Sequence, residues 1–273
     1  RVRNTPIIES GILGASLGLS LVGFKPIVEM QFSDFVSCGF NQLVNNIAKT
    51  HYRWNEPVNI TLRMPCGGGI GAGPFHSQSN EAWFLNVPGL KVLYPSNPID
   101  AKGLLISAIE DPNPVVFFEH KALYRSSEAN VPNGIYHSPI GKAQLKITGN
   151  DLTIVTFGLG VKWIMDINND LLNEGYSIDL IDLVSLAPWD KDLVSSSVKK
   201  TNKLMIVHES NMTCGVGSEV SAYVTEHCFE SLDAPIKRVT SIDTPIPFSS
   251  DIENDVYFPV NRLKKEIIEI INY

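Results

Sequence analysis

The chain has 273 residues, of which 44% are hydrophobic and 19% charged, a length typical of about two domains. Its formal net charge is −7 and it has no cluster of Lys or Arg, which argues against a nucleic-acid-binding surface. The four cysteines show no C-x-x-C spacing, so a reducing compartment is favoured over a disulfide framework.

The first half of the chain alternates short apolar runs with helical patterns. Residues 10–24 predict a helix that is too short, and too rich in Gly and Ser, to span a membrane. Its small residues Gly11, Ala15 and Gly18 suit close packing against another element. Strands are predicted at 25–30, 58–63, 91–94 and 115–119, and further helices at 35–51 and 98–109. This alternation predicts a parallel sheet with helices on both faces.

The second half begins after a Pro-, Gly- and Ser-containing segment, residues 126–139, which is predicted to be a linker. The alternation then resumes. Strands are predicted at 152–156, 177–182, 203–208 and 236–239, and helices at 161–173, 191–199, 217–229 and 259–272. We therefore predict an α/β fold of two doubly wound domains, residues 1–135 and 136–273.

A glycine-rich stretch, CGGGIGAGPFHSQSNEAWF at residues 66–84, raises the question of phosphate binding. Gly67, Gly69 and Ala72 match the spacing of a dinucleotide-binding fingerprint, but Pro74 and His76 interrupt the expected helix start. No Lys-Ser or Lys-Thr pair follows the glycines, which excludes a P-loop. The alternatives are a surface histidine after a turn, or a loop that presents His76 for proton transfer near neutral pH.

Two carboxylates of the chain have alternative interpretations. Glu9 directly precedes the first predicted helix, so it either interacts with the N-terminus of that helix or exchanges protons with a bound heterocycle. Glu209 follows His208 at the end of a predicted strand, a position where α/β sheets collect functional groups. We expect the His208–Glu209 pair to be structural or inter-subunit rather than catalytic.

Several stretches along nearly the whole chain resemble one family. NTPIIESG, IVEMQFSDF, PFHSQSNEAWFLNVPGLKVLYPSNPIDAKGLL and PVVFFEHKALYR resemble the beta subunit of thiamin-diphosphate-dependent 2-oxo acid dehydrogenases. LAPWD, IVHES and DTPIP continue the match in order. FFEHKALYR and IIEIINY are most similar to the branched-chain enzyme, with the pyruvate and acetoin enzymes as near relatives. The resemblance implies a thiamin-diphosphate pyrimidine-binding domain at 1–135, lacking its first strand and helix, and a transketolase C-terminal-like domain at 136–273.

The resemblance also implies site residues. Glu9 would hydrogen-bond the aminopyrimidine ring of thiamin diphosphate, and His76 would handle protons and the transfer of the acyl group to lipoyl. Gln31 and Phe35 would contact the cofactor, with Phe35 standing where some relatives have Tyr. A structural potassium ion is implied at Ile60, Ala108, Ile109, Asp111 and Asn113, mostly through backbone carbonyls.

The resemblance further implies partners. The chain has no Gly-Asp-Gly motif to anchor the cofactor's diphosphate, so an alpha subunit in an alpha2-beta2 heterotetramer would supply that motif with Mg²⁺. The implied activity is oxidative decarboxylation of a small 2-oxo acid and reductive acylation of lipoyl on an acyltransferase core. A mitochondrial matrix or a bacterial cytoplasm fits this activity, with neither a membrane nor a nucleic acid as partner.

Three other functions stay open at this point. The chain is alternatively a non-catalytic scaffold subunit, a fragment of another thiamin enzyme such as a transketolase, or a nucleotide-binding oxidoreductase built on the glycine loop. One departure from the family is also visible. Val184 stands where relatives usually carry Arg, which predicts the loss of a salt bridge between elements.

Overall fold

Two five-stranded sheets form the centre of the molecule. The computed structural model describes residues 1–273. The strands are β1 (Ile27–Glu29), β2 (Thr61–Cys66), β3 (Lys91–Leu93), β4 (Val115–His120), β5 (Gln144–Ile147), β6 (Leu152–Thr156), β7 (Ile178–Asp182), β8 (Ser185–Ala187), β9 (Leu204–Asn211) and β10 (Lys237–Ser241).

Helices cover these sheets. They are α1 (Glu9–Leu21), α2 (Ala48–Trp54), α3 (Gly73–His76), α4 (Ala82–Leu85), α5 (Pro98–Glu110), α6 (Leu123–Ser126), α7 (Leu159–Asn173), α8 (Lys191–Thr201), α9 (Val216–Cys228), α10 (Ser250–Ile252) and α11 (Val260–Ile271). Ser33–Gly39 and Phe229–Ser231 are 3₁₀ segments, and Gln42–Ile47 and Glu253–Tyr257 are π-helical. None of the helices combines the length and the apolar character that crossing a bilayer requires.

The first sheet has the strand order β1-β2-β4-β3-β8. Its first four strands are parallel, whereas β8 comes from the second half of the chain and pairs antiparallel with β3. Val184, just before β8, has a left-handed backbone (φ 58°), which is unusual for a β-branched residue. Its carbonyl accepts the Tyr94 N–H at 2.8 Å. The second half of the chain therefore completes the sheet of the first.

The second sheet has the order β10-β9-β6-β7-β5, with β5 as its antiparallel edge. Strands β6 and β7 are buried along their whole length, as expected for parallel strands covered by helices on both faces. The predicted α/β class with two mainly parallel sheets is confirmed. Among the strands, the sequence analysis missed the two short antiparallel edge strands, β5 and β8.

Aromatic side chains join the two halves into a continuous core. The Tyr94 ring lies 5.6 Å from the Phe118 ring and 5.3 Å from the Phe157 ring, measured between centroids. Gly158 permits this approach, because a β-carbon there would lie 2.7 Å from the Tyr94 ring. Residues 127–143, which include the predicted boundary at 135/136, form neither helix nor strand.

Two helix predictions in the first domain are wrong in detail. Helix α1 buries Leu13, Ser16 and Ser20, whereas Gly11, Ala15 and Gly18 are exposed. The close approach is provided by Gly39 on the facing segment, where a β-carbon would lie 2.6 Å from the Leu13 Cδ1 atom. The single helix predicted at 35–51 is instead a 3₁₀, a π and an α segment, types that apolar periodicity over a few residues does not distinguish.

Candidate active site

The predicted cofactor-contacting residues Gln31, Phe35 and His76 lie at one edge of the first sheet. Strands β1, β2 and β4 are parallel neighbours, so their carboxyl ends meet at the same edge. Residues 31–35 follow β1, the glycine loop with His76 follows β2, and Lys121 follows β4. Ligands of open α/β sheets bind outside this edge, and the structure therefore supports a site here.

His76 ends the short helix α3 and is held by three neighbours. Its Nδ1 lies 3.1 Å from both carboxylate oxygens of Asp34. An ionised carboxylate only accepts, so Nδ1–H donates to Asp34 and Nε2 stays free to exchange a proton. The ring stacks on Phe32 with centroids 4.4 Å apart, and Lys121 Nζ donates to the His76 carbonyl at 2.6 Å.

Phe35 and Gln31 adjoin His76 in different ways. The half-buried Phe35 ring lies 5.3 Å from the His76 ring, so the structure brings these two predicted residues together. Gln31 is exposed and its side chain makes no hydrogen bond within the chain. Its position next to Phe32 places it beside the ring that stacks on His76.

Glu9 also adjoins the Ser33–Gly39 segment, through the first turn of α1. It lies in the first turn of α1, where the helix dipole favours a carboxylate, but its side chain caps no N–H and forms no ion pair. Its carbonyl oxygen lies 3.2 Å from the position that a β-carbon of Gly39 would take. Helices α1 and α3 both contact the Ser33–Gly39 segment. Glu9 and His76 therefore adjoin one segment, which carries Phe35.

The N–H groups of Gly67, Gly68 and Gly69 are already bound within the chain, so they are not free to hold a phosphate. Gly68 N–H donates to Glu209 Oε1 at 2.7 Å, and Gly69 N–H donates to Glu253 Oε1 at 2.9 Å. Both acceptors are carboxylates of the second half of the chain, and their negative charge disfavours an anion here. The nucleotide-binding alternative is therefore not supported by this loop.

The site contains side chains that the sequence analysis did not assign to it. Asp34 stands within the stretch IVEMQFSDF, but it was not singled out as the partner of His76. Lys121 stands within PVVFFEHKALYR and was likewise passed over. Glu209 was predicted to be structural or inter-subunit. It is buried within this chain, where it joins the second domain to the glycine loop.

The residues predicted to bind potassium lie together around the C-terminus of α5. The Asp111 carboxylate is engaged by Lys91 Nζ at 2.5 Å and by the Asn113 N–H at 2.9 Å. The carbonyls of Ile60 and Asp111 accept from the Val115 N–H and the Asn59 side chain.

Two carbonyls of this group remain without a donor. Pro112 has no N–H for the Ala108 carbonyl, and the Asn113 N–H turns to Asp111 instead of the Ile109 carbonyl. These two carbonyls at a helix C-terminus fit a cation, whereas the Asp111 carboxylate is already balanced by Lys91.

Both halves of the chain match known domain families. Residues 1–127 match the family model "Transketolase, pyrimidine binding domain", and residues 141–263 match "Transketolase, C-terminal domain". A solved structure described as "Split gene transketolase, inactive beta4 tetramer" has a TM-score of 0.81 and 20% identity, covering 97% of this chain and 82% of that one. The fold and its two matched domains define a protein of the transketolase class.

Sequence relatives narrow this class. The "2-oxoisovalerate dehydrogenase subunit beta 2, mitochondrial" of Arabidopsis thaliana is 44% identical over 100% of this chain and 76% of its own length. The "2-oxoisovalerate dehydrogenase subunit beta" of Bacillus subtilis is 43% identical over 97% and 82%. The "Pyruvate dehydrogenase E1 component subunit beta" of Staphylococcus epidermidis is 42% identical over 98% and 82%. The chain belongs to the family of 2-oxo acid dehydrogenase beta subunits.

Proposed function

We propose that the chain is the beta subunit of a thiamin-diphosphate-dependent branched-chain 2-oxo acid dehydrogenase, active together with an alpha subunit. The observation that carries the proposal is the grouping of Glu9, Phe35 and His76 around one short segment at the carboxyl edge of the sheet. Similarity to two 2-oxoisovalerate dehydrogenase beta subunits, at 44% and 43% identity, supports the substrate class.

The residues present fit the aminopyrimidine half of thiamin diphosphate. The Glu9 carboxylate has no partner in the chain and is free to bind a ring nitrogen, while Phe35 offers an apolar surface. When bound, thiamin diphosphate supplies the carbon nucleophile that adds to the 2-oxo acid and takes up the electrons left by carbon dioxide. Glu9 holds a proton at the ring nitrogen. His76, oriented by Asp34, exchanges a proton at Nε2 during transfer of the acyl group to lipoyl.

The other half of the cofactor is assigned to the partner in this proposal. The chain has no Gly-Asp-Gly motif and no group of three or more His, Cys, Asp or Glu side chains arranged to hold a metal ion. The alpha subunit of an alpha2-beta2 heterotetramer then holds Mg²⁺ and the diphosphate, and a lipoyl acyltransferase core accepts the acyl group. A potassium ion at the carbonyls of Ala108 and Ile109 is a further part of the proposal.

A second substrate is supported by a specific observation. A pyruvate dehydrogenase beta subunit is 42% identical over nearly the whole chain, only slightly below the 44% and 43% of the two branched-chain relatives named above. Decarboxylation assays of the assembled enzyme with 3-methyl-2-oxobutanoate and with pyruvate separate the two candidates. Both a mitochondrial matrix and a bacterial cytoplasm suit the proposal, since relatives are named from a plant mitochondrion and from a bacterium.

Replacement of Glu9 by Gln tests the assignment of the acid. The amide keeps the size of the side chain but cannot hold and release the proton, so turnover should fall by about a hundredfold or more. Assembly with the alpha subunit, measured by size-exclusion chromatography, should be unchanged. The exposed Glu226 on α9 provides a matched control, and Glu226→Gln should keep full turnover. Normal turnover of Glu9→Gln would refute the role of Glu9.

Replacement of His76 by Ala tests the second assignment. Two reactions of the assembled enzyme are compared: decarboxylation with an artificial electron acceptor and acylation of a lipoyl domain. Because His76 is proposed to serve the transfer step, the lipoyl reaction should lose at least about tenfold more activity than decarboxylation. Equal losses in both reactions would contradict the proposed role.

A further inference from the structure

The two ends of the loop that carries His76 are joined by a hydrogen bond. We call this pair of ends, Gly67–Gly68 and Gln78–Ser79, the neck of the loop. The Gly67 N–H donates to the Gln78 carbonyl at 3.0 Å, so the chain returns to its starting point after passing through His76. Each residue of this bond is followed by one that binds Glu209. Glu209 Oε1 accepts from the Gly68 N–H at 2.7 Å and from the Ser79 hydroxyl at 3.1 Å. One carboxylate oxygen of the second domain thus holds both ends of the loop.

Burial and a hydrogen bond from His120 fix the position of the Glu209 side chain. It is buried, and its second oxygen accepts from His120 Nε2 at 2.5 Å. His120 Nδ1 accepts the Ala122 N–H at 3.2 Å, which leaves the ring proton on Nε2. Burial acts to raise the pKa of the Glu209 carboxyl, but His120 and the hydrogen bonds from Gly68 and Ser79 outweigh it and hold that pKa below its usual value. The acceptor is therefore ionised, which makes these hydrogen bonds strong.

Side chains of the second domain also lie close against the backbone of the loop at Gly68. A β-carbon at Gly68 would lie 2.5 Å from Glu253 Oε1 and 2.7 Å from Phe258 Cζ, two atoms of the second domain. Glu253 also accepts the Gly69 N–H, but it contacts only the first side of the neck. Of the two carboxylates, only Glu209 binds both sides.

His76 lies between the two ends that Glu209 holds. Its ring has one hydrogen-bonding side chain, Asp34, which belongs to a different segment of the first domain. The distance between the ring and Asp34 therefore depends on where the loop places His76. We propose that Glu209 is a positioning residue, which acts through the glycine loop to hold His76 against Asp34 and Phe32.

This inference rests on the proposed role of His76, and it predicts a specific pattern for Glu209→Gln in the enzyme assembled with its alpha subunit. The amide lacks the charge that holds both ends of the loop, so the lipoyl reaction should fall by about tenfold or more. Decarboxylation with an artificial acceptor should fall by less than about threefold. Glu230 is exposed and has neither a side-chain hydrogen bond nor an ion pair, and Glu230→Gln should leave both reactions unchanged.

A double-mutant cycle separates positioning from a merely structural effect. If Glu209 acts through His76, the variant combining Glu209→Gln with His76→Ala should be no slower in the lipoyl reaction than His76→Ala alone. Multiplied losses would overturn the positioning role. Failure of the proposed function looks different, because His76→Ala by itself would then show no selective loss in the lipoyl reaction.

Hydrogen exchange provides a measurement that does not depend on activity. Amides of residues 66–80 in the 273-residue chain should exchange at least about tenfold faster in Glu209→Gln than in Glu230→Gln, with the rest of the sheet unchanged. Glu253→Gln should produce a smaller acceleration, because Glu253 holds one side of the neck. Equal protection of this segment in Glu209→Gln and Glu230→Gln would overturn the proposal.

Ser79→Ala is the milder variant. It removes the hydrogen bond from one side of the neck and leaves the buried carboxylate in place. It should show the same selective loss and the same faster exchange, each smaller than in Glu209→Gln. If Glu209→Gln does not fold, Ser79→Ala tests the proposal in its place. Normal exchange together with normal lipoyl transfer in Ser79→Ala would then refute the proposal.

Discussion

At the scale of single residues, buried carboxylates of this molecule differ in their hydrogen bonds. Glu209 accepts from Gly68, Ser79 and His120 and keeps a pKa below its usual value. Glu81 is fully buried nearby, yet neither of its oxygens accepts a hydrogen bond of good geometry, and Ser210 offsets its burial only in part. Burial raises the pKa of Glu81 to about 7. Glu81 is therefore protonated in the folded chain at mildly acidic pH, where the unfolded chain has already released this proton.

This difference predicts a pH-dependent effect of Glu81→Gln. Between the ordinary pKa of 4.5 and about 7, the folded state binds more protons than the unfolded state, so Glu81 lowers the free energy of unfolding as the pH rises through this window. The amide has no proton to lose. The variant should therefore gain stability relative to the original chain between pH 5 and pH 8, by on the order of 3 kcal/mol at most.

Urea denaturation at several pH values measures this effect. Glu230→Gln, which replaces an exposed carboxylate, serves as the control and should follow the original chain at every pH. A Glu81→Gln variant whose stability changes with pH in parallel with the original chain would show that Glu81 is not the titrating group.

At the scale of elements, long periodic helices and buried strands were predictable from the sequence. The strand predicted at 152–156 coincides with β6, and the helix predicted at 191–199 differs from α8 (Lys191–Thr201) by its last two residues. Strands β5 and β8 were not predicted, because each is short and its partner strand is set by tertiary pairing. The pattern of apolar residues also could not predict which types of helix form at 33–54.

The candidate site also has a part that was predictable from the sequence and a part that was not. Glu9, Gln31, Phe35 and His76 followed from the resemblance to a family, because each stands in a contiguous motif. The contacts that orient them join distant parts of the chain: Asp34 and His76 are 42 residues apart, and Gly68 and Glu209 are 141 apart. No local sequence pattern reports such pairs, so the contact between Glu209 and the glycine loop could be found only in the structure.

At the scale of the whole molecule, the two sheets are interlocked. Strand β8 leaves the second half of the chain to pair with β3, and the rings of Tyr94 and Phe157 meet between the halves. The carboxylates of Glu209 and Glu253 bind the glycine loop of the first half. Neither half keeps its full set of contacts when the other unfolds.

We therefore predict that the chain unfolds in one cooperative transition. Trp54 and Trp83 report on the first half, and Trp163 and Trp189 on the second. A variant with Trp163→Phe and Trp189→Phe, and a second with Trp54→Phe and Trp83→Phe, restrict fluorescence to one half each. In each variant, the fluorescence midpoint in urea should coincide with the midpoint from far-ultraviolet circular dichroism. Separate midpoints would mean that the halves unfold independently.

During synthesis on a ribosome, β3 emerges long before β8, because Ser185–Ala187 follow Lys91–Leu93 far along the chain. Until then, the outer side of β3 carries unpaired N–H and C=O groups, an edge that attracts strands of other nascent chains. The first sheet cannot be completed while translation is still reading the linker. We therefore expect the N-terminal domain to finish folding only after much of the C-terminal one has been made.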